Sequence, residues 1–257
     1  MNTIGFIGGG RITRIFLHGF ANQGMNLGGI SVYDPDQLVL DQLKARFPAV
    51  SVSSKSLIDA AVADCLFLAV HPPVMMETLT AIKPLIRPSS TVVSLAPKFT
   101  IEKIRSVLTG HTDIARINPS ASSYINQGIN PITYSLTMNL RSRTDLQKLM
   151  VPLGCLPEVE EPKIEAYAVI SAMGHTYFWF QIQKLKELAI QFGMAPDEAE
   201  ETIAGMMDGT LKTLFNSGLD YAGVTDLVPV KPLGAVEETI KAHYDEYLIP
   251  IFNKIKP

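Results

Sequence analysis

Ile4-Gly5-Phe6-Ile7-Gly8-Gly9-Gly10, answered further on by Val32-Tyr33-Asp34, is the stretch that decides the fold. An apolar run enters three glycines. Behind Gly10 the positions Ile12, Ile15, Phe16, Gly19 and Phe20 recur at helical spacing, so the pattern predicts a strand, a tight turn and a helix with one buried face. A second strand then ends on a carboxylate. This is the grammar of a βαβ unit that binds a dinucleotide, whose pyrophosphate lies against backbone N–H groups at a helix N-terminus. A side chain at Gly8 or Gly10 would hold it off. Gly8, Gly9, Gly10, Arg11 and Ile12 are therefore candidate cofactor contacts. One element departs from the G-x-G-x-x-G pattern: Thr13 stands where the third glycine would let helix and strand pack closely.

Asp34 bears on which dinucleotide binds. A carboxylate at the end of the second strand accepts hydrogen bonds from the adenosine ribose hydroxyls and repels a 2′-phosphate, and Pro35-Asp36-Gln37 brings no cation to offset that repulsion. The expectation is NAD or NADP, with NAD favoured. Two observations compete: Asp34 with Pro35 also suits a turn or the cap of the helix containing Leu38, Val39 and Leu43, and Arg11 can reach a 2′-phosphate as well as the pyrophosphate.

At 257 residues the chain has room for two domains. Apolar residues make up 47% and charged residues 18%, with a mean hydropathy of +0.18, which points to apolar surface covered in an oligomer, at least a dimer. A net charge of −3 with scattered Lys and Arg gives no footprint for nucleic acid or an anionic membrane. Cys65 and Cys155 lack metal-ligand spacing, so no metal is expected, and they read as reduced, mostly buried thiols. The chain enters a strand at once, leaving no room for a signal peptide, so a cytoplasmic location is expected. Ala166 to Ile182 is the most apolar stretch, but His175 and Gln181 interrupt it and it is short for a membrane span; a buried interface helix fits better.

Strand-like runs at Thr3-Ile7, Gly29-Tyr33, Ser51-Val52, Cys65-Val70, Thr91-Leu95, Ile114-Asn118 and Ile132-Ser135 alternate with helical patterns. Among those patterns are Ser56 to Ala61 and Val74 to Ile86. The alternation predicts an α/β fold with a doubly wound parallel sheet of the Rossmann type. From Glu160 onward the grammar is all-α, with long helices expected over Glu165 to Gln191, Ala195 to Asn216 and Ala235 to Ile255, and Gly193 and Gly218 as stops. The expected domains are 1–158, which binds the nucleotide, and 159–257, an all-helical substrate and dimerisation domain.

Several ordered motifs then resemble one family. Ile4 to Ile12 is similar to the opening of the 1-pyrroline-5-carboxylate reductases, which typically read GFIGAGNM. Leu68-Ala69-Val70-His71-Pro72 resembles their LAVKP, and Ser94-Leu95-Ala96-Pro97-Lys98-Phe99-Thr100-Ile101 their SIAAGVTI. Arg116-Ile117-Asn118-Pro119 matches the start of RVMPNTP, Ser171 to Tyr177 matches SGSGPAY, and the register holds down to Gly193-Met194-Ala195. The departures fall on the substrate side. PNTP becomes Pro119-Ser120-Ala121-Ser122, SPGGTT becomes Lys231-Pro232-Leu233-Gly234-Ala235-Val236 without either threonine, and Met173 and His175 replace a serine and a proline.

The resemblance implies an NAD(P)-dependent oxidoreductase passing hydride to a small imine or carbonyl acid, a homodimer formed through the helical domain, and possible higher assembly. For cofactor contacts it adds Ala69, Val70, His71, Pro72, Ala96 and Lys98, the last replacing a family glycine. On the substrate side it marks His175, Tyr177, Ser171 and Ser120 as catalytic candidates. As a histidine, His175 suits proton transfer, with a capping role as its competitor. Backbone N–H groups of Met173-Gly174-His175-Thr176 are candidates to hold a substrate carboxylate, and Lys231 to bring a cation.

Three other readings stay open. A nucleotide-binding regulatory protein that has lost chemistry with the threonine loop predicts binding without turnover. A β-hydroxyacid dehydrogenase shares the architecture but expects a lysine one or two turns beyond its glycine motif, and Lys184 lies too far from Gly174. A deazaflavin-linked NADP oxidoreductase group shares the N-terminal pattern.

Overall fold

The computed structural model describes residues 2–257. β1 (Ile4–Ile7) leads into α1 (Arg11–Asn22), β2 (Ile30–Tyr33) into α2 (Gln37–Arg46), and β3 (Ser51–Ser53) into the short α3 (Ile58–Ala61). β4 (Cys65–Leu68), α4 (Pro72–Ile82), β5 (Thr91–Ser94), α5 (Ile101–Val107) and β6 (Ile114–Ile117) continue the alternation. A 3-10 turn at Ala121–Ile125 then precedes β7 (Gly128–Ile129), β8 (Ile132–Tyr134), α6 (Leu140–Met150) and β9 (Gly154–Cys155). The main sheet has the order β3-β2-β1-β4-β5-β6-β8, and β7 and β9 pair separately. The order reverses direction beside β1, which is the crevice where open α/β sheets bind ligands.

Every pairing in the main sheet is parallel except the last: β8 runs antiparallel to β6. The doubly wound parallel sheet is as expected and carries one antiparallel edge strand, because a 3-10 turn and not a crossover helix links β6 to β8, and a parallel return needs the longer connection. The two-residue strands β7 and β9 carry too little pattern to be read from sequence.

Two apolar layers sandwich the sheet. On one face Phe16, Leu17 and Phe20 of α1 pack with Leu40 and Leu43 of α2 and Leu146 and Leu149 of α6; on the other lie Met75, Leu79 and Ile82 of α4 with Ile101 and Ile104 of α5. Phe6 and Phe67 stack across β1 and β4 with centroids 4.8 Å apart, and Phe16 meets Phe67 edge-on. Burial of each such side chain contributes roughly 1.5–3 kcal/mol. Cys65 lies in this core, where burial pushes its thiol pKa up, whereas Cys155 is exposed because its strand is a two-residue pairing outside the main sheet. The expectation of buried thiols therefore holds for Cys65 alone.

α4 ends at Ile82 and not at Ile86. Lys83 is still helical, but Pro84 after it has no N–H to carry the ladder on. The long helix expected over Glu165 to Gln191 is divided into α7 (Ile164–Tyr167), one π-helical turn (Ala168–Ala172) and α8 (His175–Gln191). Ser171 Oγ donates to the Tyr167 carbonyl at 2.8 Å within that turn, a back-bond of the kind that bends helices.

The chain forms two compact units, one running to Ala172 and rejoined by Ile251–Pro257, the other Met173–Pro250. The second contains α8, α9 (Pro196–Asn216), α10 (Tyr221–Asp226) and most of α11 (Glu237–Ile255). Gly193 and Gly218 follow α8 and α9 with φ of +104° and +79°, the left-handed exit that glycine allows. α8 and α11 bury no side chain, and Phe178, Trp179 and Phe180 are all exposed.

His111 is 7% exposed, and burial lowers its pKa against the opposing pull of Ser90 and Asp113. The unfolded chain then binds the proton more readily than the folded one, so His111 weakens folding as pH falls through its ordinary value near 6.5 toward the depressed folded value. Urea midpoints of wild type measured from pH 8 to pH 5 are expected to fall, with part of the slope removed in His111→Gln.

Candidate functional site

The C-terminal ends of β2, β1, β4 and β5 stand side by side, and their following loops carry the expected cofactor contacts. Gly8 through Ile12 follow β1, Asp34 follows β2, Ala69 through Pro72 follow β4, and Ala96 and Lys98 follow β5. Twelve residues named from sequence thus gather on one sheet edge of one unit.

The three glycines have different physical duties. Gly8 adopts φ +105°, donates its N–H to the Tyr33 carbonyl at 2.7 Å, and lies so close to the neighbouring loop that a Cβ would meet the Ala69 carbonyl oxygen at 2.4 Å. It sets the turn. Gly9 donates to Asp34 Oδ2 at 2.8 Å. Gly10 has φ −69°, and a Cβ there would meet no protein atom within 4 Å. The fold itself does not require glycine at position 10. Open space beside bare main chain at the start of α1, with no acid in the helix's first turn, fits a diphosphate.

Thr13, the departure from the glycine pattern, is fully buried and its Oγ1 donates to the Gly8 carbonyl at 2.5 Å. The hydroxyl ties the loop to the helix where glycine would only allow contact. Asp34 Oδ1 accepts from the Asp36 N–H at 2.9 Å while Oδ2 holds Gly9, and Asp36, not Asp34, caps α2 through the Leu38 N–H. The carboxylate is thus fixed against the glycine loop.

His71 precedes α4, whose first turn begins with Pro72. Lys98 has φ +70°, a left-handed conformation that costs an L-residue about 1 kcal/mol or more. Lys98→Gly is expected to raise stability by up to ~1 kcal/mol after the added freedom of the unfolded chain is subtracted, read as a higher urea midpoint.

What holds this loop was not read from sequence. Arg116 on β6 is 1% exposed; its Nη1 donates to Glu161 Oε1 at 3.0 Å and its Nη2 to Glu165 Oε1, itself 1% exposed. Glu161 Oε1 also accepts the Ile101 N–H at 2.7 Å, and Glu165 Oε1 lies 3.4 Å from the Lys98 nitrogen. The two glutamates therefore bind one buried guanidinium and both ends of the loop after β5. The signal was present as an arginine in the otherwise apolar strand Ile-Ala-Arg-Ile and as two glutamates four residues apart.

The substrate-side candidates are placed as follows. Ser120 is 2% exposed, and its N–H donates to Asn130 Oδ1 at 2.9 Å. Ser171 lies in the π-helical turn, in the same unit. His175 and Tyr177 belong to the second unit, where the His175 ring stacks on Trp179 at 5.6 Å and Tyr177 meets Tyr244 edge-on at 6.0 Å. Burial pushes the Tyr177 phenol pKa up. Tyr177, Phe180, Ile240, Tyr244 and Tyr247 line an apolar groove of about 370 Å³ in that unit. Of the expected carboxylate cradle, the Thr176 N–H is bonded to the Met173 carbonyl, and the Tyr177 N–H just beyond it to the Gly174 carbonyl. Lys231 is exposed. Among the described residues no cluster of His, Cys, Asp and Glu is arranged to hold a metal, and no helix is long and apolar enough to cross a membrane.

Comparison with known proteins adds three findings. Residues 3–98 match a family profile described as NADP oxidoreductase, coenzyme F420-dependent. The pyrroline-5-carboxylate reductase of Escherichia coli (strain K12) is 26% identical over 239 residues, covering 93% of this chain and 88% of that protein; the enzyme of that name from Staphylococcus aureus (strain COL) is 24% identical over 84% and 80%. In fold, the chain is similar to the pyrroline carboxylate reductase of Plasmodium falciparum solved with NADP bound, with a TM-score of 0.79 at 17% identity, covering 98% of this chain and 95% of that one. The pyrroline-5-carboxylate reductase of Coxiella burnetii gives 0.71 at 24% identity, covering 99% and 94%.

Proposed function

We propose that this chain, a divergent relative of the pyrroline-5-carboxylate reductases and like them an NAD(P)-dependent oxidoreductase, reduces the C=N bond of a small cyclic imino acid and prefers NADH. The observation that carries the cofactor reading is Gly10, a glycine that nothing in the fold demands, beside an uncrowded helix start. When bound, the reduced nicotinamide supplies the hydride.

The chain's own residues then position and exclude. Gly10, Arg11 and Ile12 would present main-chain N–H groups to the diphosphate, Gly8 and Gly9, whose N–H groups go to Tyr33 and Asp34, would shape the bare turn beside it, and Asp34, held by Gly9 and Asp36, would accept ribose hydroxyls and repel a 2′-phosphate. The loops with Ala69 to Pro72 and Ala96 to Lys98 border the nicotinamide half. On the substrate side we assign Ser120 and Ser171 as hydrogen-bond donors, with His175 and Tyr177 as the groups that manage the proton on the reduced nitrogen. An imine reaches the site already protonated, so positioning suffices for the hydride step. In this reading residues 1–158 bind the nucleotide, and 159–257 carry substrate and dimer contacts. The exposed Phe178, Trp179 and Phe180 on α8 support pairing of two copies through helical faces.

The test follows reduced-nicotinamide absorbance with pyrroline-5-carboxylate. Turnover is expected, faster with NADH than NADPH, and Asp34→Asn is expected to move the NADPH/NADH ratio of kcat/KM upward roughly tenfold by removing one repulsive charge. NADH binding without turnover on this or any small keto acid would instead support a nucleotide-binding regulator. A single-copy mass in solution would remove the dimer assignment.

A further inference from the structure

Three arginines line one groove, and two of them, Arg14 and Arg46, lie outside the proposed cofactor contacts. Arg11, Arg14 and Ile15 from α1, Gln42 and Arg46 from α2, and Tyr124 line an open groove of about 660 Å³ in the first unit. The positions follow helical spacing. Arg11, Arg14 and Ile15 share one face of α1, and Gln42, Ala45 and Arg46 share one face of α2, where the small Ala45 leaves room between the arms.

The electrostatics call for an anion. No carboxylate lines the groove, and among the described residues none of the three guanidiniums forms a salt bridge. Arg11 and Arg14 stand near the N-terminus of α1, the positive end of its dipole, where cations are unfavourable, and the helix's own first turn carries no acid. Arg46 suits the C-terminus of α2, but that explains one arginine of three.

Part of the groove is already rigid. Arg46 Nη2 donates to the Tyr124 hydroxyl, and its guanidinium carbon lies 5.6 Å from the ring centroid. His18 stacks on the same ring at 3.6 Å, and Asn22 Nδ2 donates to the Tyr124 carbonyl at 2.9 Å. Arg46 is thus held in place before any ligand arrives, with further N–H donors of its fork unused by Tyr124.

We propose that this groove binds a multiply charged, phosphate-bearing anion distinct from the dinucleotide. Three forked cations match the several oxygens and double charge of a phosphate better than a single carboxylate. Arg46 lies nine residues beyond Gln37, which at the helical rise places it about 13 Å along α2 from the sheet edge where Asp34 stands.

The probe is inorganic tripolyphosphate, titrated calorimetrically at fixed ionic strength into the full chain saturated with NADH. Binding is expected in wild type. It should weaken at least tenfold in the Arg14→Ala/Arg46→Ala double variant and partly in Arg46→Lys, which keeps charge but loses the fork, with NADH affinity and melting temperature unchanged in both. No binding to wild type, or equal binding to the double variant, overturns the proposal. So does a double variant that loses affinity for NADPH relative to NADH while tripolyphosphate never binds, since the groove would then belong to the cofactor seat. Should NADH fail to bind at all, the same titration without it still reads the groove, so this inference and the assigned reaction fail separately.

Discussion

Arg116→Leu is expected to lower folding stability by roughly 3–5 kcal/mol, a fall in melting temperature on the order of 10 °C. The guanidinium is buried with Glu165, and removing it leaves a carboxylate in the interior without its cation. Glu161, at 28% side-chain exposure, can turn to solvent, so Glu165 is the origin of most of the cost. The loss should also reach the sheet edge, because both glutamates meet N–H groups of the loop from Lys98 to Ile101. A control separates lost attraction from a stranded charge: Arg116→Met with Glu165→Leu is expected to recover most of the stability, since replacing both partners by apolar groups leaves nothing uncompensated. Urea denaturation of the single and double variants checks this, and a single-variant loss below about 1 kcal/mol would show that the carboxylate finds another partner.

Gly8→Ala carries the second large effect, again roughly 3–5 kcal/mol. Two costs add at this position. At φ +105° any L-residue is strained, and the new methyl would sit 2.4 Å from the Ala69 carbonyl oxygen, which belongs to a backbone fixed by its own hydrogen bond to Ile7. Relief requires the loops after β1 and β4 to separate. A shift of the turn also disturbs the Gly9–Asp34 contact, so nucleotide affinity should fall together with the melting temperature. A variant with wild-type stability would mean that the loop relaxes at little cost.

How much of this was legible in the sequence depends on the range of the interactions. The main-sheet strands were readable because buried parallel strands are continuous apolar runs, and the glycine turn because its chemistry is local. The antiparallel β8 was not, since period and composition do not carry direction. The break before α8 escaped because a π-helical turn keeps the apolar character of a helix while shifting its register. The residues expected on the cofactor side were chosen by their place after strands, and the fold puts them along one sheet edge. The Arg116, Glu161 and Glu165 cluster was missed because its partners lie 45 and 49 residues apart in the chain, and only the fold brings them together. Thr13 was read as a mismatch, whereas the structure gives its hydroxyl a bond to Gly8 that no glycine could make.

The central claim is that the turn after β1 seats a dinucleotide on bare main chain, and Gly10 tests it most directly because the fold leaves that position empty. NADH titrated into wild type and Gly10→Val, with melting temperatures recorded alongside, gives the answer. The account predicts melting temperatures within a few degrees, because valine is a poorer helix N-cap than glycine, and an affinity reduced tenfold or more in the variant, about 1.4 kcal/mol at least. Equal affinity in the two proteins, or no binding to wild type, would contradict it.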